Sequence, residues 1–367
     1  MIGVIPAAGL GTRMGGRLPK ALVEIEGQTL LERSVLALKA LAIRRIIIIT
    51  GHLGENIREF ISARDFGLEI QFARQDHQLG LPHAIAMARS LIDDSFIMLC
   101  PDNIFSNPND LDEAKQIFLS RRPAFLMAAT VTPTCQRDRA RYFTSGLRNF
   151  APHLYEYRAS RNGSGLALTS TGAVFFAHEA LNSLPSFDRV DTEVKFETYI
   201  NTLAESDRGL LYQLRGTRYD LSAPEDIADY VTLQRQLDST VAQGVSAILI
   251  NGQGQVLLQH RDDNPRIRYP NHWSLFGGSI DPGETPYNAA RREVREEIGY
   301  DVENLGLFRE FVQNNKREFA FVGEIDAGLG ELTLNEGQGM DFVSPAEFSK
   351  LVIRPDDRQT LASYFGE

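Results

Sequence analysis

Three glutamates, Glu293, Glu296 and Glu297, fall within five consecutive positions of a segment with helical spacing. Side chains three and four residues apart share one face of a helix, so the three carboxylates crowd one side and repel one another. A bound divalent cation relieves that repulsion, and an oxygen donor set of this kind suits Mg2+, with Mn2+ also accommodated. A lone Glu-Glu-x-Glu run reads as a solvated acidic face. Here it follows Gly278, Glu284 and Arg292 at fixed spacings, five and seven residues intervening between successive members. Arg292 reads as orienting the glutamates rather than touching substrate, and Gly278 joins Glu293, Glu296 and Glu297 in the expected metal set.

A second concentration of chemistry lies near the N-terminus. Ala8-Gly9-Leu10-Gly11-Thr12-Arg13 follows an apolar run, and Lys20 comes shortly after. Small residues let backbone N–H groups approach a triphosphate, with Ala8, Gly9, Gly11 and Thr12 as the expected contacts. Arg13 offers a two-pronged phosphate clamp and Lys20 a second cation. The spacing is not that of a P-loop. Downstream, Pro101-Asp102-Asn103 puts a carboxylate after an apolar strand, and Arg218-Tyr219-Asp220 puts another just before a helix. Asp102 and Asp220 together with phosphate oxygens suit Mg2+, although either aspartate alone would read as a cap or turn residue.

The elements that must position these residues alternate. Residues 2–6 read as a strand, 28–42 as a helix, 44–51 as a buried strand, 55–63 as a helix, 68–73 as a strand, 81–92 as a helix and 96–100 as a strand. Such alternation predicts an α/β fold with a Rossmann-like, mostly parallel sheet covered on both faces, and ligands beyond the carboxyl ends of its strands. A helix over 223–238, opening on a capping-box pattern at Ser222–Glu225, closes this half. After the small, polar segment 238–244 the pattern changes. Strands 245–250 and 255–260 flank Asn251-Gly252, a helix spans 285–298 with Thr285 as cap, and strands follow at 304–313 and 317–325. This is a smaller α+β module, so two domains are expected, 1–238 and 244–367.

Composition narrows the function classes. The net charge of −10 argues against a basic nucleic-acid-binding surface. Two cysteines provide no disulfide framework, and Cys100 reads as an inert core thiol. The first residues run straight into a strand, so no signal peptide is expected, and no stretch has the length of a membrane span. A cytoplasmic enzyme working on small molecules is the expectation. Oligomeric state is left open, a homo-oligomer included.

Gly278–Tyr300 matches the Nudix box, GX5EX7REUXEEXGU, and the resemblance to Nudix hydrolases extends over about 244–360. It implies metal-assisted hydrolysis of a nucleoside diphosphate-linked compound, with Glu293, Glu296 and Glu297 as the catalytic carboxylates. In that frame Glu336 is a candidate auxiliary base or ligand, and Trp273 reads as core rather than a base-stacking platform. Residues 1–235 resemble the nucleotide-sugar pyrophosphorylase superfamily. That resemblance implies transfer of a nucleotidyl group from an NTP to a phosphorylated acceptor, with Arg13 and Lys20 catalytic and Asp102 and Asp220 holding metal. It further implies base contacts from Gln75 and Gly80 and sugar contacts from Gly172 and Glu193. One departure stands out: the acceptor-phosphate lysine of the sugar-1-phosphate enzymes is replaced by Arg158. A non-sugar acceptor therefore stays open, as does a Nudix domain that senses a ligand without turning it over.

Overall fold

The computed structural model describes residues 1–9, 18–132, 149–151, 153–157, 168–187, 192–206, 208–238, 242–313 and 316–366. Gly11, Thr12, Arg13, Arg158 and Cys135 lie outside these residues.

The first part of the chain builds strands β1 (Ile2–Ala7), β2 (Glu24–Ile25), β3 (Gln28–Thr29), β4 (Arg45–Thr50), β5 (Glu69–Arg74), β6 (Phe96–Leu99) and β7 (Asn103–Phe105). Then come β8 (Phe125–Val131), β9 (Asn149–Ala151), β10 (Leu154–Glu156), β11 (Leu168–Phe176), β12 (Gly209–Gln213) and β13 (Arg218–Asp220). Its helices are α1 (Leu30–Ala40), α2 (Gly54–Ser62), α3 (Leu81–Ala88), α4 (Pro108–Arg121), α5 (Phe196–Ser206) and α6 (Pro224–Asp238). Among the described residues one nine-stranded sheet runs in the order β5-β4-β1-β6-β11-β8-β12-β10-β9. The strands from β5 to β6 are parallel, and β11 runs antiparallel to both β6 and β8. Alternation along a strand explains its double cover: Ile47 and Ile49 of β4 enter one apolar cluster, Ile46 and Ile48 the other. Outside this sheet, β13 and β7 form a separate antiparallel ribbon.

Three local expectations need correction. Helix α1 begins at Leu30 because Glu26 and Gly27 both take positive φ and turn β2 into β3. Thr29 then caps the helix, accepting from Glu32 N at 3.1 Å. The helical pattern at 81–92 is α-helical only to Ala88, and Arg89–Leu91 tighten into a 3-10 turn. At α6 the expected capping box does not form. Ser222 donates to Asp220, and the reaching-back carboxylate is Asp226 on Ala223 N, 2.6 Å.

The remainder folds as β14 (Ala242–Ile250), β15 (Val256–His260), β16 (Trp273–Ser274), α7 (Pro286–Ile298), β17 (Leu305–Gln313), β18 (Lys316–Glu324), β19 (Gly339–Val343) and α8 (Pro355–Phe365). Strand β14 pairs parallel with β18, while β15, β17 and β19 pair antiparallel with their neighbours. Helix α7 starts on Thr285, whose hydroxyl accepts from Asn288 N at 3.2 Å, and stops at Gly299 in the left-handed region. The two parts touch closely: a Cβ on Gly306 of β17 would lie 2.2 Å from both Val131 and Gln213 of the first sheet. His153 lies edge-on to Tyr287 of α7, ring centres 4.9 Å apart. Among the described residues no helix is long and apolar enough to cross a membrane.

Candidate active sites

The C-terminal site is built from one loop and one helix. Residues 275–279 run alongside β14, with Ala247 N bonded to Phe276 O and Val245 N to Gly278 O, both 2.9 Å. Gly277 takes φ +147°, and a Cβ there would strike Val245 O at 2.2 Å, so the loop needs glycine to lie this close. A Cβ on Gly278 would fall 2.4 Å from the Glu293 carboxylate, which places that carboxylate directly over the loop backbone. Glu297 comes from the next turn, is 7% exposed, and accepts from Gly277 N at 3.0 Å.

Arg292 organises the rest. Its guanidinium donates to Glu284, to Glu293 at 2.9 Å, to Glu296 at 3.2 Å and to Ser279 O at 2.9 Å. Hydrogen bonding to Glu284 raises the arginine, and the same bond lowers Glu284. Burial pushes Glu293 up, and it pushes Glu297 up to about 8, with the charges of Glu293 and Glu336 adding to the effect. Glu293 and Glu296 both accept from Arg292 Nη1, but the three glutamates differ in exposure. Glu296 points outward to Arg292 and is 57% exposed, whereas Glu297 is buried under the loop. Among the described residues no three His, Cys, Asp or Glu side chains are grouped so as to hold a metal. The donor chemistry still fits a hard divalent ion: two desolvated carboxylates, Glu293 and Glu297, meet at a loop backbone, and among the described residues no cation is bonded to Glu297. Trp273 is half-buried against the core and also stacks on His260, ring centres 4.9 Å apart. The backbone carbonyl of Glu336 accepts from Gln259 at 2.9 Å.

The N-terminal site lies at the carboxyl ends of β1, β4, β5 and β6. Ala8 follows β1, packs on Gly51 after β4, and its carbonyl accepts from Gln78 at 3.2 Å. Asp102, just after β6, meets Lys20 Nζ at 2.7 Å and Asn103 Nδ2 at 2.8 Å. Ribbon pairing sets Asp220 opposite Asn103, and Leu221 N donates to Asp102 O at 2.8 Å. Arg218 spans the ribbon, donating to Asn103 and to Asp220, both at 2.6 Å. Gly172, φ +76°, is pressed against Cys100 and Asn103, whose Nδ2 would lie 2.8 Å from a Cβ there. Burial, with the Asp102 charge behind it, pushes the Cys100 thiol up, which suits an inert residue.

One wall of this site is formed by Gln75, buried after β5 and bonded to Gly80 O at 3.1 Å and to His83 at 3.0 Å. Gly80, φ +93°, abuts Glu193 and Val194, and a Cβ would strike Val194 O at 2.3 Å. Among the described residues nothing would lie within 4 Å of a Cβ on Gly9. Lys20 and Asp102 therefore meet, Asp220 is linked to Asp102 through Arg218 and Asn103, and Gly80 adjoins both Gln75 and Glu193. Two carboxylates on neighbouring ribbon positions fit Mg2+ as a partial donor set that phosphate oxygens would complete. Sequence reading missed Asn103, Gln78 and Arg218. Asn103 and Arg218 sit one and two residues from the aspartates they orient, and that adjacency was the available signal.

Two family models match the chain. The family model of the MobA-like NTP transferase domain matches residues 3–169, and that of the NUDIX domain matches residues 240–364. A segment of 92 residues is 39% identical to the bifunctional protein GlmU of Ralstonia nicotianae and 41% identical to that of Burkholderia mallei. Each match covers 25% of this chain and only 19% of the relative's length. Among solved structures, a UDP-glucose pyrophosphorylase complexed with UDP-glucose superposes with a TM-score of 0.54 at 19% identity, covering 64% of this chain and 98% of that one. The UTP-bound UGPase of Acinetobacter baumannii gives 0.54 at 19%, covering 65% and 93%. At these identities the likeness is one of fold. Both matched families are enzyme families, and the chain joins a MobA-like NTP transferase domain to a NUDIX domain.

Proposed function

We propose that the chain is a bifunctional enzyme, divided at about 238–244. Its N-terminal domain transfers a nucleotidyl group from an NTP to a phosphorylated acceptor, a sugar 1-phosphate by preference, and releases pyrophosphate. Its C-terminal domain hydrolyses a nucleoside diphosphate-linked compound. The observation that supports the first reading is the Lys20–Asp102 pair beside a ribbon that sets Asp220 opposite Asn103. Both reactants of such a transfer are anions, so their repulsion must be neutralised before an acceptor oxygen can attack the α-phosphorus. Asp102 and Asp220 would hold Mg2+, which when bound supplies charge neutralisation on the phosphates. Lys20 holds Asp102 in the free protein and offers its ammonium to the nucleotide. An ionised phosphate attacks without a general base, and the bond to the pyrophosphate leaving group breaks.

In the C-terminal domain Glu293 and Glu297, with the Gly278 backbone, would hold the divalent ion that activates water. Arg292 keeps Glu293 in place, and the Gly277 N–H keeps Glu297 in place. A second reading of the transferase acceptor is favoured by Arg158, which stands where sugar-1-phosphate enzymes carry lysine: a non-sugar phosphorylated molecule.

The test crosses four NTPs with a panel of phosphorylated acceptors in the presence of Mg2+, following pyrophosphate and phosphate release. Pyrophosphate dependent on one acceptor, lost in Asp102→Ala and kept in Glu297→Gln, establishes the transferase and names its substrate. Hydrolysis that needs no acceptor and is lost only in Glu297→Gln would leave the Nudix reaction standing and overturn the transferase.

A further inference from the structure

The β7–β13 ribbon stands outside the nine-stranded sheet, and a two-stranded ribbon alone is marginally stable. Yet it carries both candidate metal carboxylates, because Asp102 directly precedes β7 and Asp220 ends β13. Three ties hold it. Asp110, buried, accepts from Arg215 N at 3.1 Å and Gly216 N at 2.8 Å, fixing the turn that enters β13. Below the ribbon, Tyr219 meets Tyr230 with ring centres 4.9 Å apart, among Ile104 and Leu221. The third tie comes from the other domain: the Tyr219 hydroxyl donates to Glu310 Oε2 on β17 at 2.7 Å.

Glu310 is well suited to act as a strut. Its side chain is 1% exposed, and its second oxygen accepts from Arg317 Nε at 2.5 Å. A buried carboxylate persists where it is paired and hydrogen-bonded, and removing one partner leaves the others unsatisfied. The partners here are an arginine of its own sheet and a tyrosine of the transferase domain. We propose that Glu310 is a positioning residue for the transferase site. Through Tyr219 it sets the register of Arg218 and Asp220 against Asn103 and Asp102. The NUDIX domain thereby completes the scaffold of its neighbour's site. This rests on the transferase reading of Asp102 and Asp220.

The test uses the full chain with Tyr219→Phe, Glu310→Ala and Glu310→Gln. Amide hydrogen exchange is followed at 103–105 and 218–221 without ligand, beside KM for the metal–nucleotide and for the acceptor. Tyr219→Phe and Glu310→Ala should speed exchange in both strands about tenfold, as expected for losing one hydrogen bond to a charged group. They should raise KM for the metal–nucleotide and leave the acceptor KM and Nudix hydrolysis unchanged. Glu310→Gln keeps an acceptor for the hydroxyl but turns its amide NH2 toward Arg317, so ribbon exchange should move less than in Glu310→Ala. Unchanged exchange in folded Tyr219→Phe would overturn the proposal, as would equal movement of both KM values. Should Glu310→Ala fail to fold, Tyr219→Phe decides. If the wild type releases no pyrophosphate, the transferase reading fails, while exchange still judges whether Glu310 sets the ribbon.

Discussion

The two candidate sites keep their carboxylates in place in opposite ways. In the transferase domain each aspartate is met by a cation of the chain, Asp102 by Lys20 and Asp220 by Arg218. Those side chains are partly exposed, so the pairs are weak enough to be exchanged for metal and phosphate. In the NUDIX domain a single guanidinium serves Glu284, Glu293 and Glu296, while Glu297 is buried with a backbone N–H as its donor. One site is poised by exchangeable ion pairs and the other by desolvation. The contrast implies that the first responds to loss of a cation and the second to loss of local geometry.

The largest expected effect tests the desolvated half of this comparison. Asp357 accepts from Leu275 N at 3.1 Å and so anchors the start of the glycine loop, and burial pushes its carboxyl up to about 6. A raised acid stabilises the fold below its unfolded value, near 3.9, and that contribution is lost as pH rises through 6. Thermal unfolding of the NUDIX domain should therefore weaken between pH 4 and 7 in the wild type. In Asp357→Asn that slope should flatten, and an unchanged slope would remove desolvation as the cause.

Next comes the exchangeable half. Lys20→Ala should cut nucleotidyl transfer about 100-fold or more, as for loss of a transition-state charge contact, with Nudix hydrolysis untouched. Near-wild-type turnover would take Lys20 out of the mechanism. Arg292→Lys should weaken Nudix metal affinity and turnover roughly 10- to 100-fold, because a single ammonium cannot reproduce a fork shared among three glutamates. Titration with Mn2+ would check it, and equal affinity would show that the glutamates hold their places unaided. The smallest effect is purely local: Thr285→Ala should destabilise the NUDIX domain by about 1 kcal/mol through loss of the α7 cap, measured by denaturant unfolding. A loss confined to activity would mean that the cap serves the site rather than the helix.

Much of the fold was legible where the signal was periodic or capped. The unbroken run of four isoleucines in β4 forecast a fully buried strand, and Thr285 with Pro286 forecast the start of α7. The misses were of another kind. Ser222 had a plausible capping partner three residues on, but Asp220 lay nearer in space. Glu296 carries the helical spacing of its neighbours, yet it is exposed where Glu297 is buried. Spacing specifies which face a residue occupies and says nothing about which rotamer its surroundings select.

The sequence by itself determined that Gly278, Arg292 and the three glutamates lie close together, because they belong to one loop and helix whose geometry is local. It also named the transferase aspartates, each beside the residue that orients it. Only the tertiary structure decided that Lys20 meets Asp102 across 82 positions, that Arg218 reaches Asn103 across 115, and that Tyr219 reaches Glu310 across 91. Only packing decided that Glu297 is buried and Glu296 exposed. Helix geometry follows from neighbours along the chain. Strand adjacency and desolvation depend on how distant segments close over one another.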